Sequence, residues 1–345
     1  MTRIDADAHV DETEDTWTFL EGADERFRPV TLPADNGRDQ QWVADGMSLR
    51  RPVRNYDRTG VSRETSQLLD VPARLRHLDE LRIDTQVLFP TAWIRSRFEG
   101  HEDLEVALTR SYNRWLATRT EESGGRLRWA ALLPLRSMGE AVKELHWAKE
   151  HGAVGVFKKG FECGKRASDD YFLPLYDAAD ELDVPICIHT GSDGSEESSS
   201  PTAMDAVQAF NPLVTSGLLE RYSTLRFGII EAGASWIPFL LSVLAGSGRR
   251  DHMQGVTLDH TLLVDTELFK RNRIYVACQS HDDLPYILRY GMEDNLIVGT
   301  DYTHADQSAE LKALDHIEAR GAAGEISAEV ARKILDDNPR RFYGL

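Results

Sequence analysis

The sequence predicts a (β/α)8 barrel, or TIM barrel, in which eight parallel strands alternate with helices. About eight short apolar segments recur along the 345 residues, and each is followed by a segment with helical periodicity. The segments are almost continuously apolar, which is typical of strands buried on both faces. The length suits this fold. The competing fold, an open doubly wound sheet, typically has a Gly-x-Gly-x-x-Gly loop after an early strand, and the sequence contains none. We interpret residues 1–345 as one barrel domain.

The predicted elements follow one another with short connections, apart from one long excursion. The predicted strands cover residues 4–10, 84–90, 128–134, 152–158, 184–190, 225–231, 274–278 and 295–301. The predicted helices cover residues 72–82, 104–119, 138–150, 172–182, 203–219, 236–245 and 282–290, and two more close the chain, the last with Ser327 as its N-cap. Residues 27–72 show little periodicity, so we interpret them as an insertion after the first strand, ordered against the site or a partner subunit. A Ser-, Gly- and Glu-rich loop is predicted from Gly191 to Ser200.

The composition restricts the partners of the protein. A net charge of -17 disfavours nucleic acid and anionic membranes, and no apolar run is long enough to span a bilayer. The three cysteines, Cys163, Cys187 and Cys278, form no Cys-x-x-Cys pair and are too few for a disulfide framework. We therefore expect a soluble, cytoplasmic protein that acts on a small molecule, binds neither nucleic acid nor membrane, and forms a homo-oligomer.

Ionisable residues cluster where the predicted strands end, which is where a barrel carries its chemistry. Asp7 and His9 lie two residues apart in the first strand and should face the same space. His189 ends the fifth strand and Asp301 ends the eighth. This 2-His-2-carboxylate set suits Zn²⁺ or Mn²⁺, and also Fe²⁺. The alternative, two hydrogen-bonded core histidines and an Asp301 helix cap, requires four independent placements to coincide.

Two further residues at strand ends are candidates for catalysis. Glu231 ends the sixth strand and could be a fifth ligand, a general base or a carboxylate that orients a ligand imidazole. An ion pair of Glu231 with Lys158 or Lys159 is nearly as well supported. His304 follows Asp301 by three residues and could contact substrate, although a surface histidine is an equally good interpretation.

Three residues are candidates for substrate binding. Trp93 and Arg95 follow the second strand and could supply an apolar wall and an anion clamp, or simply anchor the loop. Lys158 at the end of the fourth strand could bind an anionic group, in which case its neighbour Lys159 points away because adjacent strand residues alternate faces.

Five motifs together resemble the amidohydrolase-2 group of the amidohydrolase superfamily, the group that contains aminocarboxymuconate semialdehyde decarboxylase. The motifs are Ile4–Val10 with Trp17, Phe172–Tyr176 with Ile188–Gly191, Glu231–Pro238, Gly299–His304 and Asp337–Gly344. The resemblance covers nearly the whole chain. It implies a (β/α)8 barrel with one divalent metal ion, and either hydrolysis or decarboxylation of small, often aromatic, acids or amides.

The chain departs from that family at three places. The family commonly carries His-x-His in its first strand, and Asp7 replaces the first histidine here. Glu231 stands where the family often has a histidine that acts on the metal-bound water. No carbamylated lysine is evident at the fourth strand, although Lys158 lies near that level. The carboxylate of Asp7 makes the ligand set harder and favours Mn²⁺ somewhat over Zn²⁺.

These features lead to an ordered set of functional hypotheses. The first is metal-dependent hydrolysis, in which a metal-activated water attacks a small polar or (hetero)aromatic substrate. Glu231 or Asp301 would take the proton, and His304 would protonate the leaving group. The alternative is non-oxidative, metal-dependent decarboxylation of an aromatic or unsaturated carboxylic acid. A further alternative is a catalytically inactive binding or structural barrel, with which the substitutions at Asp7 and Glu231 are compatible.

Overall fold

The computed structural model describes residues 2–33, 39–52, 55–191, 202–253 and 265–345. The predicted loop from Gly191 to Ser200 therefore lies, apart from Gly191, outside the described residues. The strands found in the described residues are, in chain order, β1 (Ile4–Val10), β2 (Val30–Pro33), β3 (Asp39–Ala44), β4 (Met47–Pro52), β5 (Thr85–Pro90), β6 (Leu127–Ala131), β7 (Ala153–Lys159), β8 (Phe161–Glu162), β9 (Lys165–Arg166), β10 (Ile186–His189), β11 (Phe227–Ile230), β12 (Ile274–Cys278) and β13 (Leu296–Val298).

Eight of these strands form a barrel. They hydrogen-bond side by side in the order β1-β5-β6-β7-β10-β11-β12-β13, and each neighbouring pair is parallel. The barrel closes where the backbone of Ala8 pairs with Tyr302, just beyond β13. At this seam the His9 amide donates to the Tyr302 carbonyl at 3.0 Å, and the Asp301 amide donates to the Asp7 carbonyl at 2.9 Å. The predicted (β/α)8 barrel is confirmed.

Helices connect the strands as the alternating pattern predicted. The α-helices are Tyr56–Thr59, Arg63–Ser66, Val71–Glu80, Glu102–Glu121, Met138–Glu150, Leu173–Glu181, Thr202–Thr215, Leu218–Arg221, Ile237–Met253, Leu268–Arg271, Leu284–Ile287, Ala313–Ala322, Ala328–Arg332 and Asn338–Tyr343. Short 3-10 turns cover Glu14–Phe19, Gly22–Phe27, Ala92–Arg95, Asp170–Phe172 and Leu288–Tyr290, and Lys333–Asp337 forms a π-helical turn. The predicted N-cap is present, because the side chain of Ser327 accepts a hydrogen bond from the Val330 amide. None of the described helices combines the length and the apolar character needed to cross a bilayer.

The insertion after β1 contains structure that the sequence pattern did not predict. Strands β2, β3 and β4 form a small antiparallel sheet. The β3–β4 turn is Asp45-Gly46, and both residues have positive φ, 48° and 75°, as a two-residue hairpin turn requires. The sheet is anchored by Trp42, whose buried ring lies 5.1 Å from that of Trp17.

The C-terminal segment fills the barrel beneath the carboxyl ends of the strands. A Cβ atom at Gly228 would overlap the ring of Phe342, so only glycine admits this ring. The hydroxyl of Tyr343 donates to the carbonyl of Ala6 in β1 at 2.6 Å. The tail motif of the sequence is therefore part of the barrel core.

The close approach at the barrel seam depends on Gly299. A Cβ atom there would overlap the Cβ of Asp7 and lie 2.7 Å from its carbonyl oxygen. We expect Gly299→Ala to lower the free energy of unfolding by about 1–3 kcal/mol, because β1 and the end of β13 must separate. Urea unfolding measures this. In Gly139→Ala, the control, the added methyl meets no described atom within 4 Å, and stability should stay equal or rise. Equal stabilities of the two variants would contradict the tight seam.

Candidate metal centre

An irregularity in β1 separates its polar side chains, because Asp7 and His9 face the barrel interior whereas Asp5 faces Gln86. The register between β1 and β5 shifts so that Asp5 to Ala8 oppose only Gln86 to Leu88. The extra residue places Asp5 and Asp7 on opposite faces, whereas residues two apart would otherwise share one. Asp7 and His9 therefore face inward together, as the sequence predicted. Asp5 faces Gln86, from which it accepts a hydrogen bond at 2.7 Å.

The four predicted metal ligands come together at the carboxyl ends of the strands. Asp7 Oδ1 lies 3.6 Å from His9 Nε2 and 3.4 Å from His189 Nε2. Asp301 Oδ1 lies 3.4 Å from His9 Nε2. Ligand atoms that are each about 2.0–2.2 Å from one ion lie roughly 3–4 Å from one another. The described residues form two overlapping groups of this kind, Asp7, His9 and His189, and His9, Glu231, Asp301 and His304, which share His9.

Both imidazoles are held with one ring nitrogen directed at this group. His9 Nδ1 lies 3.0 Å from the Pro90 carbonyl, and His189 Nδ1 lies 2.8 Å from the Thr190 carbonyl. A carbonyl only accepts, so Nδ1 of each ring carries the proton and donates it. Nε2 of each ring therefore faces Asp7, which is the orientation found in metal-binding histidines.

The donor atoms of the group fit a divalent ion. Within the described part of the chain, Asp7 Oδ1 and His189 Nε2 have no hydrogen-bond partner, although both are buried. Buried polar atoms are costly unless they are paired or bind a metal. Mixed imidazole and carboxylate donors suit Zn²⁺ or Mn²⁺. The structure thus offers an ion the atoms that it otherwise leaves unsatisfied.

Glu231 also faces this group. Its Oε2 lies 3.3 Å from His189 Nε2 and accepts a hydrogen bond from the Thr190 hydroxyl at 2.8 Å. The structure does not show the alternative, an ion pair between Glu231 and a lysine of β7. The ammonium groups of Lys158 and Lys159 lie near Glu162 instead, at 3.9 Å and 3.7 Å.

A serine that the sequence did not single out bridges the carboxylates. The Ser308 hydroxyl lies 3.0 Å from both Glu231 Oε1 and Asp301 Oδ2, and 2.5 Å from Asp306 Oδ1. It has one proton to donate, so it links the three carboxylates without satisfying all of them. Ser308 lies in a loop seven residues after Asp301, and no motif marked it.

The ionisation of the group reflects an excess of buried negative charge. Burial raises the pKa of Glu231 to about 7, with Asp7 adding to the rise and His189 opposing it. Burial and the charge of Glu231 raise the pKa of Asp301 well above its ordinary value. Burial by itself would lower the pKa of His189, but the attraction of Glu231 and Asp7 brings it to about 9. A bound cation would relieve this imbalance.

Three non-glycine residues of the site adopt left-handed backbone conformations. The φ angles are 59° at Glu231, 49° at Asp301 and 84° at Thr303. Such conformations cost of order 1–3 kcal/mol each and are found where a side chain must be aimed. Here two of them place the carboxylates that face the imidazoles.

The structure places His304 inside the site. Its Nδ1 lies 2.6 Å from Asp301 Oδ1, and its Nε2 lies 3.3 Å from the Thr91 hydroxyl. Its ring stacks on that of His9, with centroids 4.0 Å apart and planes inclined by 24°. His304 thus connects Asp301 to Thr91, at the end of the neighbouring strand β5.

The substrate-binding candidates of the loop after β5 lie elsewhere. Trp93 is buried, with its ring 5.8 Å from Trp17, 5.8 Å from Phe98 and 5.9 Å from Tyr112. This placement agrees with the loop-anchor alternative. Arg95 is exposed at the surface of the loop.

The two lysines of β7 are arranged opposite to the expectation. In the register of β7 with β10, Lys159 pairs with His189, whereas Lys158 pairs with Ile188. Paired residues share a face, so Lys159, not Lys158, is on the His189 side. The ammonium of Lys158 lies 3.9 Å from the ring of Phe172, and Lys159 donates to the Ser96 carbonyl at 2.8 Å. The predicted substrate contact of Lys158 is therefore a contact with the helix layer.

We call Asp7, His9, His189 and Asp301 the metal-type group. A cavity of about 290 Å³ lies near it. It is lined by Asp11, Glu12, Gln40, Trp42, Arg51, Tyr56, Arg63, Gln67, Thr91 and Ala92. Thr91 belongs to this lining and its hydroxyl also lies 3.3 Å from His304 Nε2, so one side chain separates the cavity from His304. Most of the lining comes from the insertion, whose lack of periodicity hid these residues in the sequence.

Two arginines of the cavity are held by other side chains near it. Arg51 pairs with Glu14 at 2.7 Å, and its guanidinium lies 5.0 Å from the centre of the Trp42 ring. Arg63 donates through Nε to Gln67 at 3.0 Å. The cavity is therefore polar, and its lining carries both the basic residues Arg51 and Arg63 and the acidic residues Asp11 and Glu12.

The fold is shared with solved structures of low sequence identity. An amidohydrolase from Mycobacterium avium subsp. paratuberculosis superposes with a TM-score of 0.76 at 19% identity, covering 100% of this chain and 98% of that one. The 5-carboxyvanillate decarboxylase of Sphingomonas paucimobilis gives 0.71 at 18%, covering 100% and 99%. The enzyme of that name from Novosphingobium aromaticivorans, crystallised with manganese and a nitrobenzoic acid, gives 0.68 at 18%, covering 100% and 96%. No curated protein matches the chain at a significant level.

The sequence itself matches the amidohydrolase family over residues 4–345. The match extends from the first residue of β1 to the C-terminal segment that fills the barrel. It includes every residue of the metal-type group. The chain therefore belongs to the amidohydrolase family of metal-dependent enzymes.

Proposed function

We propose that this protein is a metal-dependent decarboxylase that releases CO2 from a small aromatic carboxylic acid without oxidation. The observation that carries the proposal is the cluster of buried imidazoles and carboxylates at the strand ends, beside which lies a small polar cavity that shares Thr91 with the surroundings of His304. The likeness to 5-carboxyvanillate decarboxylases supports it. Decarboxylation thus comes before hydrolysis, which reverses the order favoured by the sequence.

Asp7, His9, His189 and Asp301 would hold one divalent ion, which we propose to be Mn²⁺ or Zn²⁺. A bound ion would supply a Lewis acid that attracts the substrate carboxylate and an adjacent oxygen. The protein supplies the rest of the site. Its buried imidazoles are oriented by backbone carbonyls, and its carboxylates are fixed by the Thr190 and Ser308 hydroxyls.

The cavity would determine how the substrate is oriented. Its volume of about 290 Å³ is at the lower end of the range for small-molecule sites, so it suits a single substituted ring. Trp42 offers an apolar face, while Arg51 and Arg63 would bind an anionic substituent. The insertion therefore has the role that the sequence assigned to Arg95 and Lys158.

The reaction needs a proton at the carbon that loses CO2. When the bond to the carboxylate carbon breaks, its electron pair stays on the ring carbon, which then takes up one proton. His304 is the proposed donor, because it lies between Asp301 and the cavity-lining Thr91. Stacking on His9 fixes the plane of its ring.

Hydrolysis is the second candidate, and Glu231 favours it. A carboxylate whose pKa is raised by burial to about 7 is suited to accept a proton from water at neutral pH. Its Oε2 also lies close to His189, beside the proposed ion. An amide or ester of an aromatic acid would be the corresponding substrate.

The two reactions differ in what they release. With Mn²⁺ added, we expect hydroxylated and carboxylated benzoic acids to yield CO2 and the ring with one more hydrogen, because a bound ion would attract the substrate carboxylate and Arg63 could bind a second anionic substituent. Headspace analysis of CO2 and product mass in ¹⁸O-labelled water measure this. Oxygen-18 in the acid released from an aromatic amide or ester, with no CO2 released from the benzoic acids, would show hydrolysis instead.

Metal binding should depend on the buried imidazoles. We expect one divalent ion per chain in the wild type and less than about a tenth of that occupancy in His189→Ala, because a ligand is lost from a dry site. Metal analysis after dialysis measures the occupancy. His151→Ala, which alters an exposed histidine, is the control and should retain the ion. Full occupancy in His189→Ala would remove His189 from the ligand set.

The arginines of the cavity should act on substrate affinity. We expect Arg63→Gln to raise KM about tenfold with a smaller change in kcat, because one charge-assisted hydrogen bond is worth about 1.5–3 kcal/mol before solvent screening. Steady-state kinetics measure both constants. Arg58→Gln, which alters an exposed arginine outside the cavity lining, should leave KM unchanged. A kcat loss at constant KM would place the anionic group elsewhere.

A further inference from the structure

A fully buried arginine connects the insertion to the strands that carry the metal-type group. Arg74, in the helix Val71–Glu80, has no exposed surface. It donates to the carbonyls of Thr65 at 3.0 Å and His9 at 3.3 Å. Its guanidinium also lies 3.5 Å from the centre of the Tyr302 ring, one residue beyond Asp301.

The side-chain amide of Gln86 links the guanidinium of Arg74 to the buried carboxylate of Asp5. Arg74 donates twice to Gln86 Oε1, at 2.9 Å and 2.6 Å. Gln86 Nε2 in turn donates to Asp5 Oδ2 at 2.7 Å. The amide is therefore fixed in one orientation, with its oxygen toward the cation and its nitrogen toward the anion. Asp5 and Gln86, like Arg74, are wholly buried.

Asp5 fixes the backbone on both sides of the barrel seam. Its Oδ1 accepts from the Thr300 amide at 2.9 Å and, more weakly, from the Asp7 amide at 3.4 Å. Its Oδ2 accepts from the Thr300 hydroxyl at 2.5 Å. One carboxylate thus contacts the backbone of Asp7 and the residue before Asp301.

We propose that Asp5, Gln86 and Arg74 are a positioning network that holds Asp7 and Asp301 at the separation that metal binding requires. The described hydrogen bonds of the network end on the backbone of the ligand-bearing segments, not on ligand side chains. A buried pair of opposite charges contributes little to stability compared with an apolar core, so a positional role accounts for it better. This inference rests on the metal site proposed above but not on which reaction the protein catalyses.

The orientation of the Gln86 amide, with its oxygen toward Arg74 and its nitrogen toward Asp5, provides the test. Asp5→Asn sets an amide nitrogen against the nitrogen of Gln86, and Gln86→Glu sets two carboxylates together. The double variant Asp5→Asn/Gln86→Glu keeps the net charge and pairs a donor with an acceptor again. The new carboxylate at position 86 accepts from Arg74 on one side and from the new amide at position 5 on the other. We expect each single variant to bind Mn²⁺ about ten- to a hundredfold more weakly, and the double variant to return to within about threefold of the wild type.

Mn²⁺ affinity is measured by titration followed by electron paramagnetic resonance, with urea unfolding of the metal-free proteins in parallel. The control is Glu144→Gln, which alters a carboxylate in another buried network, with Asn113 and Arg114. It should lower stability while leaving Mn²⁺ affinity unchanged.

The outcomes separate this inference from the proposed metal site. Wild-type protein that binds no ion overturns both. Single variants with wild-type affinity, a double variant without recovery, or an equal loss of affinity in Glu144→Gln overturn only the positioning network. If the single variants do not fold, the double variant is compared with Thr300→Val, which removes one hydrogen bond to Asp5, and unchanged affinity in Thr300→Val likewise overturns it.

Discussion

The site depends on one backbone contact, the closure of the barrel between β1 and the residues after β13. Two hydrogen bonds at this seam, from His9 to Tyr302 and from Asp301 to Asp7, bring together residues that are almost the whole chain apart. The side chain of Asp301 can lie 3.4 Å from the imidazole of His9 only because the backbones meet there. Gly299 allows that meeting, since no other residue has room beside Asp7. The geometry of the metal-type group is thus a consequence of how the barrel closes.

The seam also determines the electrostatics. Asp7, Glu231 and Asp301 share a buried space in which histidine side chains are their nearest potential cations. Burying carboxylates close together disfavours their charged forms. The pKa values of Glu231 and Asp301 are therefore raised, with burial as the largest cause. Folding supplies the energy to assemble the carboxylates, and a divalent cation would recover part of it on binding. The same imbalance explains why the nearby histidine His189 is drawn toward its charged form.

The sequence contained enough to predict the barrel and the composition of the metal-type group. Apolar strands with ionisable residues at their ends give both, because carboxyl ends of parallel strands meet at one level. Which lysine of β7 points toward the barrel interior could not be predicted in the same way. Lys158 and Lys159 are adjacent, and only the register of β7 against β10 shows that Lys159 shares a face with His189. In β1 the bulge leaves Asp7 and His9 together but turns Asp5 away, which alternation alone would not predict. The Asp45-Gly46 turn was the one readable sign of the small sheet in the insertion.

The barrel and the insertion after β1 contribute different parts of the candidate site. The barrel holds groups whose positions tolerate little change, because each ligand-bearing strand end is fixed by its neighbours. The cavity beside it is built from Trp42, Arg51 and Arg63, whose segment packs on the barrel without belonging to its sheet. Substitutions there can alter what the cavity binds while leaving the metal-type group intact. Arg74 belongs to both parts, since it bonds the insertion at Thr65 and the metal-bearing strand at His9. One buried guanidinium therefore joins the segment that lines the cavity to the strand that carries Asp7 and His9, so the proposed substrate and metal sites are separate in sequence but connected through Arg74.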